Sequence, residues 1–243
     1  MLIIRGDDYQ SWIYKSDNEI IVVDPWLTEK QKFPGASWLL SRYQSKPHYL
    51  VKHNLIKKVT HVIITAHFSD HLDLDSIKMF PKDIQIYTTH HASKIIKKAG
   101  FKNCIIVKPG DEYKFNNFSL KINVAGKPYH TSTFSYYLKT NKTTIFHEPH
   151  TIDDNFRPTD KIDVLISTID SVKVLGLVEV SMDIKKTSKI LHKNEINYMI
   201  PTGIHPNKTK GFIRLLLSIK ESISTEKLIL PILCKHQYDT FTI

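Results

Sequence analysis

One stretch constrains this chain more than any other: Val62-Ile63-Ile64-Thr65-Ala66-His67-Phe68-Ser69-Asp70-His71-Leu72-Asp73. Its apolar opening reads as a buried β-strand. The strand runs out into a loop in which His67, Asp70, His71 and Asp73 crowd together. An apolar strand ending in an acid- and histidine-rich loop is how α/β proteins set metal ligands at the carboxyl end of a strand. The rest of the chain must supply the neighbours that bury such a run.

Those neighbours are legible. Ile3-Ile4 and Trp12-Ile13-Tyr14 are short β-prone runs, and Ile20-Ile21-Val22-Val23 is a continuous β-branched run of the kind buried on both faces. It ends at Asp24-Pro25-Trp26, where Pro25 stops the ladder. Two readings stand for Asp24: it orients a ligand from behind, or it caps the turn. The segment Phe33 to Trp38 reads as an ordered loop beside a pocket. Beyond the central loop, residues 74–80 predict a short helix ending at Pro81, and residues 84–88 alternate as a strand. Residues 92–99 have helical spacing closed by Gly100, and residues 103–107 form another strand.

Residues 112–147 read as a β-meander. The last third returns to alternation, with a strand at 164–168, a helix at 182–192 and a strand at 198–200. A long amphipathic helix is predicted over 211–222, residues 174–178 read as either strand or loop, and Leu228-Ile229-Leu230 marks the tail. The order argues for an α/β fold. With no low-complexity linker, residues 1–243 are expected to form a single domain of two similar halves.

Hydrophobic residues make up 41% of the chain, enough for a substantial core, and the net charge is +10. Such a balance attracts anions. Only Arg5, Arg42, Arg157 and Arg214 are arginines, however, and the lysines are spread along the chain. Base and phosphate recognition favours clustered, bidentate Arg, so the charge argues weakly for a nucleic-acid partner. It suits a small anionic substrate better, with Lys127 as one source of charge. Cys104 and Cys234 cannot build a disulfide framework. The N-terminus meets Asp7 and Asp8 too early for a signal peptide, and no apolar run approaches the roughly 18 residues of a membrane span. The expectation is a cytoplasmic protein without a membrane partner.

Thirteen histidines is a high count for this length. His67, His71, His130, His150 and His205 fall just after predicted strands, in loops that also carry Asp70 and Glu148. Imidazole with carboxylate suits Zn²⁺, Mn²⁺ or Fe²⁺. A hydrolytic metal site needs about three protein ligands and one open position, where the metal lowers the pKa of water toward about 7. The reaction class is attack on an ester, lactone or phosphoester, with Asp70 and Glu148 as candidate catalytic carboxylates. Trp26 and Tyr129 join Lys127 as candidate substrate-binding residues.

The order of these motifs carries a resemblance. Ile21-Val22-Val23-Asp24-Pro25-Trp26-Leu27, then Ala66 to His71, then Lys127-Pro128-Tyr129-His130, then Ile145 to His150 and the loop at 201–206 resemble the metallo-β-lactamase superfamily. The match is to the branch that includes the ascorbate-6-phosphate lactonases. The resemblance implies a four-layer αββα sandwich with a metal site at one edge. In register with Asp70-His71, the first two histidines of the family's His-x-His-x-Asp-His motif fall on Ala66 and Phe68, so the motif is degenerate. The resemblance implies Asp70 and His71 as ligands of the second metal. It aligns His130 with a histidine of the first metal, and His150 with the bridging Asp. Glu148 lies beside His150 as ligand or general base, and His205 lies near the family's last ligand. His67 sits one position off the motif. One ion, most simply Zn²⁺, is expected rather than two. A degenerate member that binds without catalysing is the alternative, and a nucleic-acid-cutting member is the third reading.

Overall fold

The computed structural model describes residues 1–33, 38–222 and 232–243. Two large sheets dominate. The first has seven strands, in the order Thr240–Thr242, Leu2–Arg5, Trp12–Ser16, Glu19–Val23, His61–Ile64, Gln85–Thr88 and Cys104–Ile106. The second has six: Tyr198–Thr202, Val164–Thr168, Thr144–His147, Phe134–Lys139, Ser119–Val124 and Glu112–Lys114. Each sheet is antiparallel on one side and parallel on the other. That repetition is the two-halved organisation expected from the sequence.

Side-chain alternation assembles the layers. Ile21, Val23 and Ile63 face inward and meet Tyr136, Leu138, Ile145, Val164 and Ile166 from the second sheet. Their sequence neighbours Ile20, Val22, Val62 and Ile64 face outward, onto Ile77 from the short helix Leu74–Ile77 and onto Ala92 and Ile96 from the helix His90–Lys98. On the far side, Phe146, Leu165 and Met199 pack against Ile184, Ile190 and Leu191 of the helix Ile184–Lys193. Helix, sheet, sheet, helix is the predicted αββα sandwich. The helix His90–Lys98 starts on Thr89, whose hydroxyl accepts from the Ala92 amide, and ends before Gly100, which takes a φ of +92°. No described helix is long and apolar enough to cross a membrane.

The last third departs from expectation at one element. In place of a helix over 211–222, a 3₁₀ turn, Phe212–Leu216, leads into the strand Leu217–Lys220. Leu217-Ser218-Ile219-Lys220 alternates apolar and polar, a strand period, and it pairs antiparallel with Ser171–Val174. That strand turns back through Leu175 and Gly176, both at positive φ, into Val178–Ser181. Residues 174–178 are therefore the tip of a hairpin within a third, three-stranded sheet. A second small hairpin, Lys30–Phe33 with Leu40–Tyr43, lies in a region where the sequence shows no clean period. The loop predicted between Phe33 and Trp38, and the tail Leu228 to Leu230, lie largely or wholly outside the described residues.

Candidate functional site

The central strand delivers Thr65 and the loop 66–73 to one edge of the sandwich, beside the end of Glu19–Val23. Asp24 follows that strand at a φ of +43°, a left-handed conformation that Asp tolerates better than most residues. Its carboxylate accepts from the Thr65 amide at 2.8 Å, the Thr65 hydroxyl at 2.6 Å and His71 Nδ1 at 2.8 Å. Of the two readings of Asp24, the geometry realises the orienting one. Burial opposes charge on His71, but the Asp70 and Asp24 carboxylates outweigh it and hold the imidazole up at about 9.

With Nδ1 committed to Asp24, His71 presents Nε2 to the site. Nε2 is buried without a hydrogen-bond partner and lies 3.6 Å from Asp70 Oδ2. The Asp70 backbone carbonyl is tied down by the side-chain amides of Gln10, at 2.5 Å, and Gln31, at 3.2 Å. Neither glutamine was legible as a site residue, because each contributes from a distant segment.

The second sheet brings the strand end Thr144–His147 to the same edge. The His150 ring meets His71 with centroids 4.8 Å apart and stacks on Tyr129 at 4.1 Å. Its backbone amide donates to Glu148 Oε1 at 3.0 Å, while Gly126 donates to Oε2 at 3.1 Å. Glu148 is buried and its pKa is pushed up to about 8 by burial, despite those two amides. It does not line the cavity. Burial, followed by the positive charge of His71, pushes His150 well below its ordinary range.

His147 is the residue that sequence reasoning passed over. Its Nδ1 lies 2.7 Å from the Tyr136 hydroxyl, which in turn meets Tyr14 at 3.1 Å. Its Nε2 is buried without a partner, as is that of His150. The signal was available: on a strand His147 shares the inward face of Ile145, which belongs to the core between the sheets.

Beside these groups opens a cavity of about 600 Å³, reached by His67, Asp70, Tyr129 and His150. Besides the buried His71 and Glu148, four expected site residues lie outside its lining. His130 and Lys127 are exposed and lie outside the lining. They sit on a loop whose Lys127 amide donates to Asp153, so the loop points its long side chains to solvent. His205 takes a left-handed φ of 54°; its amide donates to Asp170 and its carbonyl accepts from Arg42, which turns it away from the cavity. Trp26 is buried with 1% exposure behind the site and is not part of the lining. Of the two family positions without histidine, Ala66 is buried in a backbone bridge to Thr133, while Phe68 faces the cavity.

The donor set fits a divalent cation on one observation. His71, His147 and His150 each bury an unpartnered Nε2. A buried polar atom left unpaired costs roughly 1–3 kcal/mol, and such atoms gather where a ligand completes them. The negative surroundings that favour a proton on His71 favour a metal cation there equally. Among the described residues, no three His, Cys, Asp or Glu side chains already stand as a closed metal cage. The fit therefore lies in donor chemistry.

Comparison with known proteins places this geometry. No curated protein sequence matches the chain. Among solved structures, a possible metal-dependent hydrolase from Veillonella parvula is similar with a TM-score of 0.70 at 17% identity, covering 100% of this chain and 99% of that one. An isothiocyanate hydrolase from Delia radicum gut bacteria gives 0.65 at 18%, covering 84% and 85%. Igni18, a metallo hydrolase from Ignicoccus hospitalis, gives 0.60 at 13%, covering 84% of each chain. At these identities the likeness speaks to the fold alone. The sequence model described as the beta-lactamase superfamily domain matches residues 7–203. The chain is therefore a member of the β-lactamase superfamily.

Proposed function

We propose that this protein is a metal-dependent hydrolase acting at the carbonyl of an ester or lactone. The observation that carries the reading is His71: its Nδ1 is fixed by Asp24 and its Nε2 is left bare beside Asp70. A carboxylate behind a histidine, holding its ring so that the other nitrogen can ligate, is the arrangement of protein metal sites. His71, His150 and Asp70 would hold one divalent cation, with His147 as a further donor. Such a cation supplies Lewis acidity and lowers the pKa of a coordinated water. Membership of the superfamily and the likeness to named hydrolases support the reaction class. The resemblance to the ascorbate-6-phosphate lactonase branch supports an ester linkage.

The remaining work falls to the chain. Asp70, facing the cavity, is placed to accept a proton from attacking water. Tyr129 keeps its phenolic proton across the physiological range, since burial, then the Asp70 charge, pushes it up to about 12. It can donate a hydrogen bond to the oxygen on which negative charge develops. Glu148, with both oxygens occupied by amides, is a positioning residue that fixes the backbone of His150. The missing histidines at positions 66 and 68 support one ion rather than two.

Hydrolysis of a 4-nitrophenyl ester tests the reading. Chelator-stripped protein should lose activity and regain it with zinc, manganese or iron. Turnover indifferent to metal removal would overturn it.

A further inference from the structure

The cavity beside the site has an unusual wall. Val172, Val174, Val180, Leu217 and Ile219 come from the three-stranded sheet, and Ile213 from the turn that precedes its last strand. Alternation sets these five strand residues on one face, half-buried, and leaves Lys173, Ser218 and Lys220 exposed on the other. None of the six wall residues belongs to the three hydrophobic clusters that form the described core. An apolar sheet face normally buries itself against another element. This one faces the cavity. Phe68, in the position where the family motif carries a histidine, also lines the cavity. The lining contains no Lys or Arg among the described residues, and its one acid is Asp70, at the reactive end.

We infer that the substrate is an ester whose apolar chain lies along this wall, with its carbonyl at Asp70, Tyr129 and His150. The inference rests on the hydrolase reading only for the word ester; the apolar binding stands separately. Three observations support it. A volume of about 600 Å³ suits a ligand well beyond a two- or three-carbon acyl group, since cavities of roughly 300–1,000 Å³ hold drug-sized molecules. Phe33, Leu40 and Phe68 also line the cavity, so apolar side chains far outnumber charged ones in the described lining. The three-stranded sheet turns no Lys, Arg, Asp or Glu toward the cavity among the described lining residues, so a charged group along this wall would go unpaired. Lys127, the expected source of charge for an anionic substrate, lies outside this lining.

The test is a homologous series of 2-alkanones, from 2-pentanone to 2-nonanone, titrated into the full-chain protein by calorimetry. A ketone offers the carbonyl without a scissile bond, so binding is read without turnover. Affinity should rise roughly four-fold per methylene, the factor expected from burying about 0.8 kcal/mol per CH₂. In Ile219→Gln the rise should flatten, while Leu177→Ser, exposed at the hairpin tip, should leave it unchanged. If Ile219→Gln does not fold, Val174→Thr makes the same comparison, and the wild-type series decides by itself. Affinity independent of chain length would overturn the inference. Ketone affinities that scale in a protein that hydrolyses no ester would leave this inference standing and sink the hydrolase reading. Metal-dependent ester hydrolysis with flat ketone affinities would do the reverse.

Discussion

At the scale of single residues, the molecule is held by buried polar groups that answer one another across long stretches of sequence. Arg5 reaches the carbonyls of Cys234, Tyr9 and Pro201, and Arg42 reaches those of Asp8 and His205. His48 is the most telling case, because it is fully buried away from the site. Its Nδ1 accepts from the Leu50 amide and its Nε2 lies 3.0 Å from the Ser11 hydroxyl. Burial pushes it down to about 3 from an ordinary 6.5. Above the ordinary value it is neutral in both states. As pH falls below it, the unfolded chain takes up a proton that the folded chain refuses. Stability drains away until the folded pKa is reached, by about 1.4 kcal/mol per pH unit. Asp7 acts in the opposite sense, since burial raises it to about 6. The comparison must therefore be with His48→Asn, which keeps an acceptor for the Leu50 amide and leaves Asp7 in place. Urea midpoints measured from pH 7 to pH 4 should show wild type losing stability relative to the variant by about that slope. Parallel curves would contradict the account.

At the scale of elements, the site is made where two strand ends meet and one glycine lets them close. The Gly126 amide donates to Glu148, and a Cβ at position 126 would stand 1.9 Å from the Thr151 carbonyl oxygen. Gly126→Ala must push the loop away from the residues that follow His150. We expect a cost of roughly 1–3 kcal/mol in urea unfolding, together with lost ester hydrolysis. Wild-type stability and activity in that variant would show that Glu148 does not fix His150 in the way proposed. Elements also mark where the sequence is readable. Ile20 to Val23 and Val62 to Ile64 announce themselves because burial on both faces demands an unbroken apolar run. Gly211 to Ser222 misleads, because a short alternating strand placed after an apolar turn mimics a helical face. Its identity as a strand is decided by pairing with Ser171–Val174, which lies some forty residues earlier in the chain. His147 was missed although strand alternation places it on the inward face with Ile145; only its partner, Tyr136, comes from the pairing of strands. Asp24, Asp70, His71 and His150 were legible because each sits at the end of a strand that local sequence defines. Gln10, Gln31 and the cavity wall were not, since only the closed fold brings them near.

At the scale of the whole molecule, two half-parallel sheets pack face to face and leave their strand ends along one edge. The first sheet supplies Asp24, Thr65 and His71; the second supplies His147 and, just beyond it, Glu148 and His150. Neither sheet alone forms the site, so its integrity depends on the core between them. The order of strands carried this architecture in the sequence, while none of the lysines and arginines behind the +10 charge is in the described lining of the cavity. The central claim is that this shared edge holds a divalent cation. Elemental analysis of protein purified without chelator, then equilibrated with zinc, manganese or iron and desalted, tests it most directly. Wild type should retain about one ion per chain, and folded His71→Ala, verified by circular dichroism, should retain less than about a tenth of that. A wild type that holds no metal, or a His71→Ala that holds as much as wild type, would contradict the account.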